Sequence, residues 1–204
     1  MKHPLAPFAG HILSGFTRLM TDPRVVKGTM NLDTPRIFYA NHRSNADTVV
    51  IWTALSPAQR QKLRPVAAAD YWHTTPMRRF VGEQIFNILP VERNAEKRQD
   101  DPIATMKNAL DGGHSLLIFP EGKRNQTDEE LLDFKTGIYH LAKQRPETEF
   151  VPIWINNIDS ILPKGEYVPL PVLCTLNVGE AFQLDSQDKA SALDLARKNL
   201  LELK

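Results

Sequence analysis

Six short apolar runs, separated by segments of helical periodicity, restrict what this chain can fold into more than any other feature. The runs are RIFYA (36–40), PVAAA (65–69), IFNILPV (85–91), SLLIFP (115–120), FVPIWI (150–155) and VLCTLNV (172–178). Each has the length of a strand and is close to uniformly apolar, the pattern of a strand covered on both faces. Helix-type segments fall between or after them: ADTVVIWTAL (46–55), DPIATMKNALDGG (101–113), KTGIYHLAKQ (135–144) and SALDLARKNLLEL (191–203). The second of these carries its own punctuation, with Asp101 as N-cap, Pro102 in the first turn and Gly112 or Gly113 as the stop. Alternation of this kind predicts an α/β fold, a single layered domain with a mixed, largely parallel sheet and helices.

An amphipathic helix is expected ahead of that domain. Leu5, Phe8, Ile12, Leu13, Phe16, Leu19 and Met20 recur at three- and four-residue spacing. The chain therefore divides into residues 1–30, helix and lead-in, and residues 31–204, the domain. Two readings of the helix's apolar face stand: it packs on the domain, or it lies in a membrane interface with basic residues beside it. Residues 1–31 carry Lys2, Arg18, Arg24 and Lys27 against Asp22 alone, which favours an acidic or membrane-surface partner. No run of 18 apolar residues and no secretory signal is present, so the expected location is cytoplasmic, peripheral on the inner face of a membrane. A formal charge of +1 over 204 residues argues against a nucleic-acid binder. The single cysteine, Cys174, rules out an internal disulfide and reads as a small buried hydrophobe.

The chemistry concentrates where apolar runs end. In FYANHRSNADTVVIW (38–52) a strand delivers His42, and Asp47 five positions later, into the turn before a helix. A histidine with a carboxylate partner is a general base with its tautomer fixed. The same Asp47 could instead cap the helix beside an exposed His42. No enzyme nucleophile accompanies the pair. Ser115 has a helix before it and a strand after it, the reverse of a nucleophile elbow, and Cys174 has no charged neighbour in sequence to activate it. Activation of a substrate hydroxyl is what remains. LLIFPEGKRNQ (116–126) and ILPVERN (88–94) also end in charged turns, bringing Glu121, Lys123 and Arg124, and Glu92 and Arg93. Arginine and lysine at strand ends suit phosphate oxygens, and Lys135 in DFKTG stands before another helix start.

These blocks resemble the glycerolipid acyltransferase family, the 1-acylglycerol-3-phosphate acyltransferases. NHRSNAD is similar to its Asn-His, four residues, Asp motif, and FPEGKRN to its Phe-Pro-Glu-Gly-Thr-Arg-Ser motif. IFNILPVER and FVPIWI are looser matches to two others, and the resemblance covers roughly residues 35–180. It implies transfer of a fatty acyl group from a coenzyme A or acyl-carrier-protein thioester to a lysophospholipid hydroxyl, most closely 1-acylglycerol-3-phosphate giving phosphatidate. His42 would be the base and Asp47 its orienting partner. Arg93, Glu121, Gly122, Lys123 and Arg124 would form the acceptor's phosphate region, with Glu121 shaping the turn rather than holding the anion. No metal and no cofactor are implied. Lys123 in place of threonine and Asn125 in place of serine depart from the family pattern and bear on the acceptor. The alternatives are another lysolipid or non-glycerol acceptor, or a thioester or ester hydrolase using the same His–Asp pair.

Overall fold

The IFYA run becomes the strand around which the rest is arranged. In a computed structural model, which describes residues 3–92, 100–157, 173–184 and 188–204, it forms β2 (Ile37–Ala40). The described sheet has eight strands. Its order is β1 (Arg24–Lys27), β7 (Thr175–Val178), β6 (Glu149–Asn156), β2, β5 (Ser115–Ile118), β3 (Leu63–Ala68), β4 (Leu89–Val91), with β8 (Phe182–Gln183) also on β6. Parallel neighbours flank β2 on both sides, Phe38 opposite Val151 of β6 and Leu117 of β5. The β6–β7 and β6–β8 pairs are antiparallel and the others parallel, so the sheet is mixed and largely parallel, as the alternation of runs predicts.

A strand paired at both edges and covered on both faces has no side left for water, which is why all four residues of β2 are apolar and fully buried. Ile37 and Tyr39, with Leu116, Ile118, Phe150 and Trp154, pack against α6 (Pro102–Asp111), α7 (Gly137–Gln144) and α8 (Lys189–Leu201). Phe38 and Ala40, with Leu117, Val151, Ile153 and Ile155, meet Val50 and Ile51 of α2 (Asp47–Ala54) on the opposite face. Each large side chain buried in this way contributes about 1.5–3 kcal/mol. The central strands are therefore fixed, and so are the points from which the polar turns leave them. Asp101 caps α6 through the Ile103 N–H, with Pro102 next and Gly112 at the end, as its punctuation predicts.

Two segments differ from the sequence reading. IFNILPV, expected as one strand, is a strand only over Leu89–Val91. Residues Phe80–Ile85 form a π-helical turn, and Asn87 takes a positive φ of 57° that ends it. Its apolar residues are committed elsewhere, Phe86 and Ile88 clustering with Trp52. Short helices α3 (Pro57–Lys62), α4 (Ala69–Trp72) and α5 (Pro76–Arg79) fill the stretch between β3's approach and that turn, and all are too short for periodicity to reveal. The strand β1, in the stretch read as a lead-in, lies parallel to β7.

The N-terminal helix α1 (Ala6–Thr21) forms where the apolar spacing places it but turns the other way round from a core helix. Its buried residues are small, namely Ala6, Gly10, Ser14, Thr17 and Thr21. They lie over Trp52 and Arg60: a methyl at Gly10 would sit 3.4 Å from the Trp52 ring, and Arg60 donates to the Ser14 hydroxyl at 2.8 Å while stacking on Trp52. Close approach of the helix leaves Leu5, Phe8, Ile12, Phe16 and Leu19 pointing outward, Phe8 67% and Leu19 79% exposed. No helix among the described residues is long and apolar enough to cross a membrane.

Candidate active site

Where β2 ends, the chain makes a tight turn that brings His42 and Asp47 together. The Nδ1 atom of His42 lies 2.7 Å from Oδ2 of Asp47. That oxygen also accepts the backbone N–H groups of Arg43 at 2.8 Å and Ser44 at 3.0 Å. A capping aspartate bonds forward, to the N–H groups of the helix it begins. Asp47 bonds backward, to the loop, so its carboxylate organises the histidine turn. It is fully buried. Burial pushes its carboxyl above the ordinary value, opposed by the hydrogen bond and charge of His42 and the backbone donors of Ser44 and Arg43. With Nδ1 committed to Asp47, Nε2 is the ring nitrogen left for a substrate.

The backbone of His42 is held as firmly as its ring. Its N–H donates to Oε1 of Glu121 at 2.7 Å, and its carbonyl accepts from the Asn125 N–H at 2.6 Å. The other oxygen of Glu121 accepts from the Leu132 N–H at 2.9 Å. Glu121 is thus a buried brace between two loops, and burial raises its carboxyl above the ordinary range against the pull of those two donors. The Asn125 carboxamide is spent locally: Nδ2 donates to Glu129 O, and Oδ1 accepts from the backbone and hydroxyl of Thr127. The Arg43 guanidinium donates to the same Glu129 carbonyl at 2.9 Å. Phe119 stacks on the imidazole at 4.4 Å between ring centroids.

The imidazole opens onto a groove of about 540 Å³. Its walls come from the C-terminal ends of β3, β4 and β5 and from α6 and α7, with Ala67, Ala68, Met106, Phe119, Ile138 and Leu141 as its apolar lining. Ligand sites of open α/β sheets form at strand C-termini for this reason: the turns there diverge and leave a crevice. Gly122 and Lys135 join His42 in the groove. Gly122 has φ +70°, and a methyl there would come within 2.9 Å of Lys135 Cγ, so the lysine stem lies across a position that only glycine vacates.

A His–Asp pair, its aspartate buried and its imidazole open to an apolar groove, is matched by similarity along the chain. A family model described as acyltransferase covers residues 23–156. The chain belongs to the acyltransferase family. Among its relatives, tafazzin of Drosophila melanogaster is 29% identical over 82% of this chain and 44% of its own length. A chloroplastic 1-acyl-sn-glycerol-3-phosphate acyltransferase of Brassica napus is 27% identical over 71% of the chain and 40% of its own, and one of Arabidopsis thaliana is 28% identical over 69% and 38%. The chain therefore spans less than half the length of these curated relatives. Its fold is similar to that of the crystal structure of the 1-acyl-sn-glycerophosphate acyltransferase of Thermotoga maritima, with a TM-score of 0.69 at 20% identity, over 97% of this chain and 80% of that one.

Against this acyltransferase frame, the residues singled out by sequence separate into groups. His42 and Asp47 touch, Glu121 is joined to His42 through its backbone, and Gly122 lines the groove. Lys123 and Arg124 follow on the exposed turn, where no hydrogen bond or ion pair engages either among the described residues. Arg93 lies outside the described residues. Cys174 is fully buried, and burial together with the Asp47 charge pushes its thiol up to about 11. Pattern reading did not assign roles to Phe119, Asn41 or Met106. Phe119 immediately precedes the PEG turn and Asn41 opens the NHRSNAD block, so both could have been suspected, whereas Met106 carries no local signal.

Proposed function

We propose that this acyltransferase-family chain moves a fatty acyl group from an acyl thioester to the free hydroxyl of a lysophospholipid, most closely 1-acylglycerol-3-phosphate to phosphatidate. The observation that carries the reading is His42, fixed at Nδ1 by buried Asp47, at the mouth of an apolar groove. His42 Nε2 takes the proton of the acceptor hydroxyl, and the oxygen attacks the thioester carbonyl. The C–S bond of the resulting tetrahedral adduct then breaks, and the departing thiolate takes the proton back from the imidazolium. Asp47 holds the tautomer that leaves Nε2 unprotonated and stabilises the cation formed in between. The reaction so written is complete without a metal or cofactor. Thioester and lysolipid are both substrates, and coenzyme A or an acyl-carrier protein supplies the donor.

The groove suits the acyl chain, with Ala67, Ala68, Met106, Ile138 and Leu141 excluding water along it. Lys123, Arg124 and Lys135, with Arg93, supply cations for the acceptor's phosphate. Gly122 lets the turn pass beneath Lys135, and Glu121 keeps it in place. Asn125, occupied with its own loop, is a framework residue in this reading and not a contact to the acceptor. Both lipids reside in bilayers. The outward ridge Phe8, Ile12, Phe16 and Leu19 of α1 provides peripheral attachment to the cytoplasmic face of a membrane.

The test is acyl transfer by purified protein from a long-chain acyl-coenzyme A to 1-acylglycerol-3-phosphate, scored for phosphatidate and free fatty acid beside His42→Ala. Phosphatidate that disappears in the variant is the expected result. Free fatty acid as the sole product would replace this reading with a hydrolase, and phosphatidate undiminished in His42→Ala would remove the base.

A further inference from the structure

Asn41 stands between the last paired residue of β2 and His42, and it continues the pairing with β6 by its side chain. Its Nδ2 donates to the carbonyl of Ile155 at 3.1 Å, and its Oδ1 accepts the Ile155 N–H at 2.8 Å. The side chain is fully buried. The β2–β6 register sets Ala40's place in the ladder opposite Ile153, two residues before Ile155. A strand that simply ran on would present its own peptide groups to Ile155, and His42 would lie in the sheet.

We infer that Asn41 is a positioning residue for His42: its carboxamide takes the place of the missing peptide opposite Ile155, so the chain leaves the sheet just before the histidine. A carboxamide carries the same donor and acceptor as a peptide group, and both must be met where no water reaches. Aspartate offers two acceptors and serine a single short oxygen. Glutamine is one methylene too long to close the same pair of bonds. Glu121 and Asn125 then hold the released residue by its N–H and its carbonyl. His42 is thus tied to β6 through Asn41 and to the turn after β5 through Glu121, two neighbours of β2 on opposite sides. The inference rests on His42 being the base.

Steady-state acyl transfer to 1-acylglycerol-3-phosphate would be compared for the wild type, Asn41→Ala, Asn41→Asp and His42→Ala, with thermal melts confirming that each is folded. Asn41→Ala is expected to lower kcat roughly 10- to 100-fold, the scale of an ångström-sized misplacement of a catalytic group, with KM unchanged. Asn41→Asp is expected to fall as far at neutral pH, but a protonated carboxyl again has one donor and one acceptor. Its kcat relative to wild type at the same pH therefore rises as the pH is lowered, a rescue that a general packing defect would not give. Wild-type kcat in folded Asn41→Ala, or a raised KM at constant kcat, overturns the inference. If Asn41→Ala does not fold, the aspartate variant decides, and a pH-independent ratio overturns it. An active His42→Ala protein removes the base and this inference with it. An inactive one beside fully active Asn41→Ala removes this inference alone.

Discussion

Replacing Asp47 by asparagine tests the site through the orientation that the new amide must choose. Oδ2 of Asp47 receives three N–H groups, from His42, Arg43 and Ser44. If the amide oxygen takes that place, all three bonds survive and the His42 tautomer is kept. If the NH2 takes it, the Arg43 N–H faces a donor, the Ser44 N–H keeps only its 3.1 Å bond to the Oδ1 position, and the imidazole must carry its proton on Nε2, where it cannot act as a base. Leaving buried donors unmet costs about 1–3 kcal/mol each, so the oxygen is expected at the Oδ2 position. What is lost is then the charge, together with the second, 3.1 Å bond of the Ser44 N–H to Oδ1. A hydrogen bond to a charged group contributes about 1.5–3 kcal/mol and a neutral one about 0.5–1.5, a difference of about 1–2 kcal/mol in stabilising the imidazolium. This corresponds to roughly a 5- to 30-fold drop in kcat. A flipped amide would resemble the wrong-tautomer asparagine variants of serine hydrolases, with a loss of about 10,000-fold. The assay is kcat for phosphatidate formation with both substrates saturating. A loss near the larger figure refutes the orientation argument, and an undiminished kcat refutes the role of Asp47.

The same substitution has a signature in stability. Burial raises the Asp47 carboxyl in the folded chain, so from about pH 4 upward the unfolded chain releases its proton first. Stability from this group falls as pH rises toward the folded value and stays at the lower level above it. Thermal melts of Asp47→Asn should therefore gain on wild type as the pH rises from about 4, and a difference independent of pH would contradict the burial argument. Gly122→Ala places a side chain at φ +70° and within 2.9 Å of Lys135 Cγ. A destabilisation of at least about 1–2 kcal/mol is expected from the backbone strain alone, measurable by denaturant titration and contradicted by an unchanged midpoint. Ala68→Leu narrows the groove, so kcat/KM should fall more for long-chain than for short-chain acyl donors, and an equal fall for both would show that Ala68 does not face the chain. Phe8→Ser with Phe16→Ser removes exposed apolar surface without touching the small-residue face of α1. Weaker co-sedimentation with anionic vesicles at an unchanged melting temperature is expected, and full retention would exclude this ridge as the membrane contact.

The uniform apolar runs of β2 and β5 and the punctuation of α6 determined those elements from the sequence alone, because parallel strands buried on both faces and a capped helix leave local signatures. The His–Asp pair was legible for a related reason: five residues across one turn keep the two groups close whatever the rest of the chain does. IFNILPV misled because an apolar run records burial and not backbone shape, and the positive φ at Asn87 and the pull of Trp52 have no counterpart in hydropathy. For α1 the period was right, yet which side faced inward depended on a neighbour, since only small residues let the helix close on Trp52 and Arg60. The parts that hold His42 were out of reach for the same reason. Glu121 lies 79 residues from His42 and Ile155 lies 114 from Asn41, and only the order β6–β2–β5 brings them together. Chemistry carried within one turn can be read from sequence, whereas its alignment depends on contacts between strands, and those exist only once the sheet has formed.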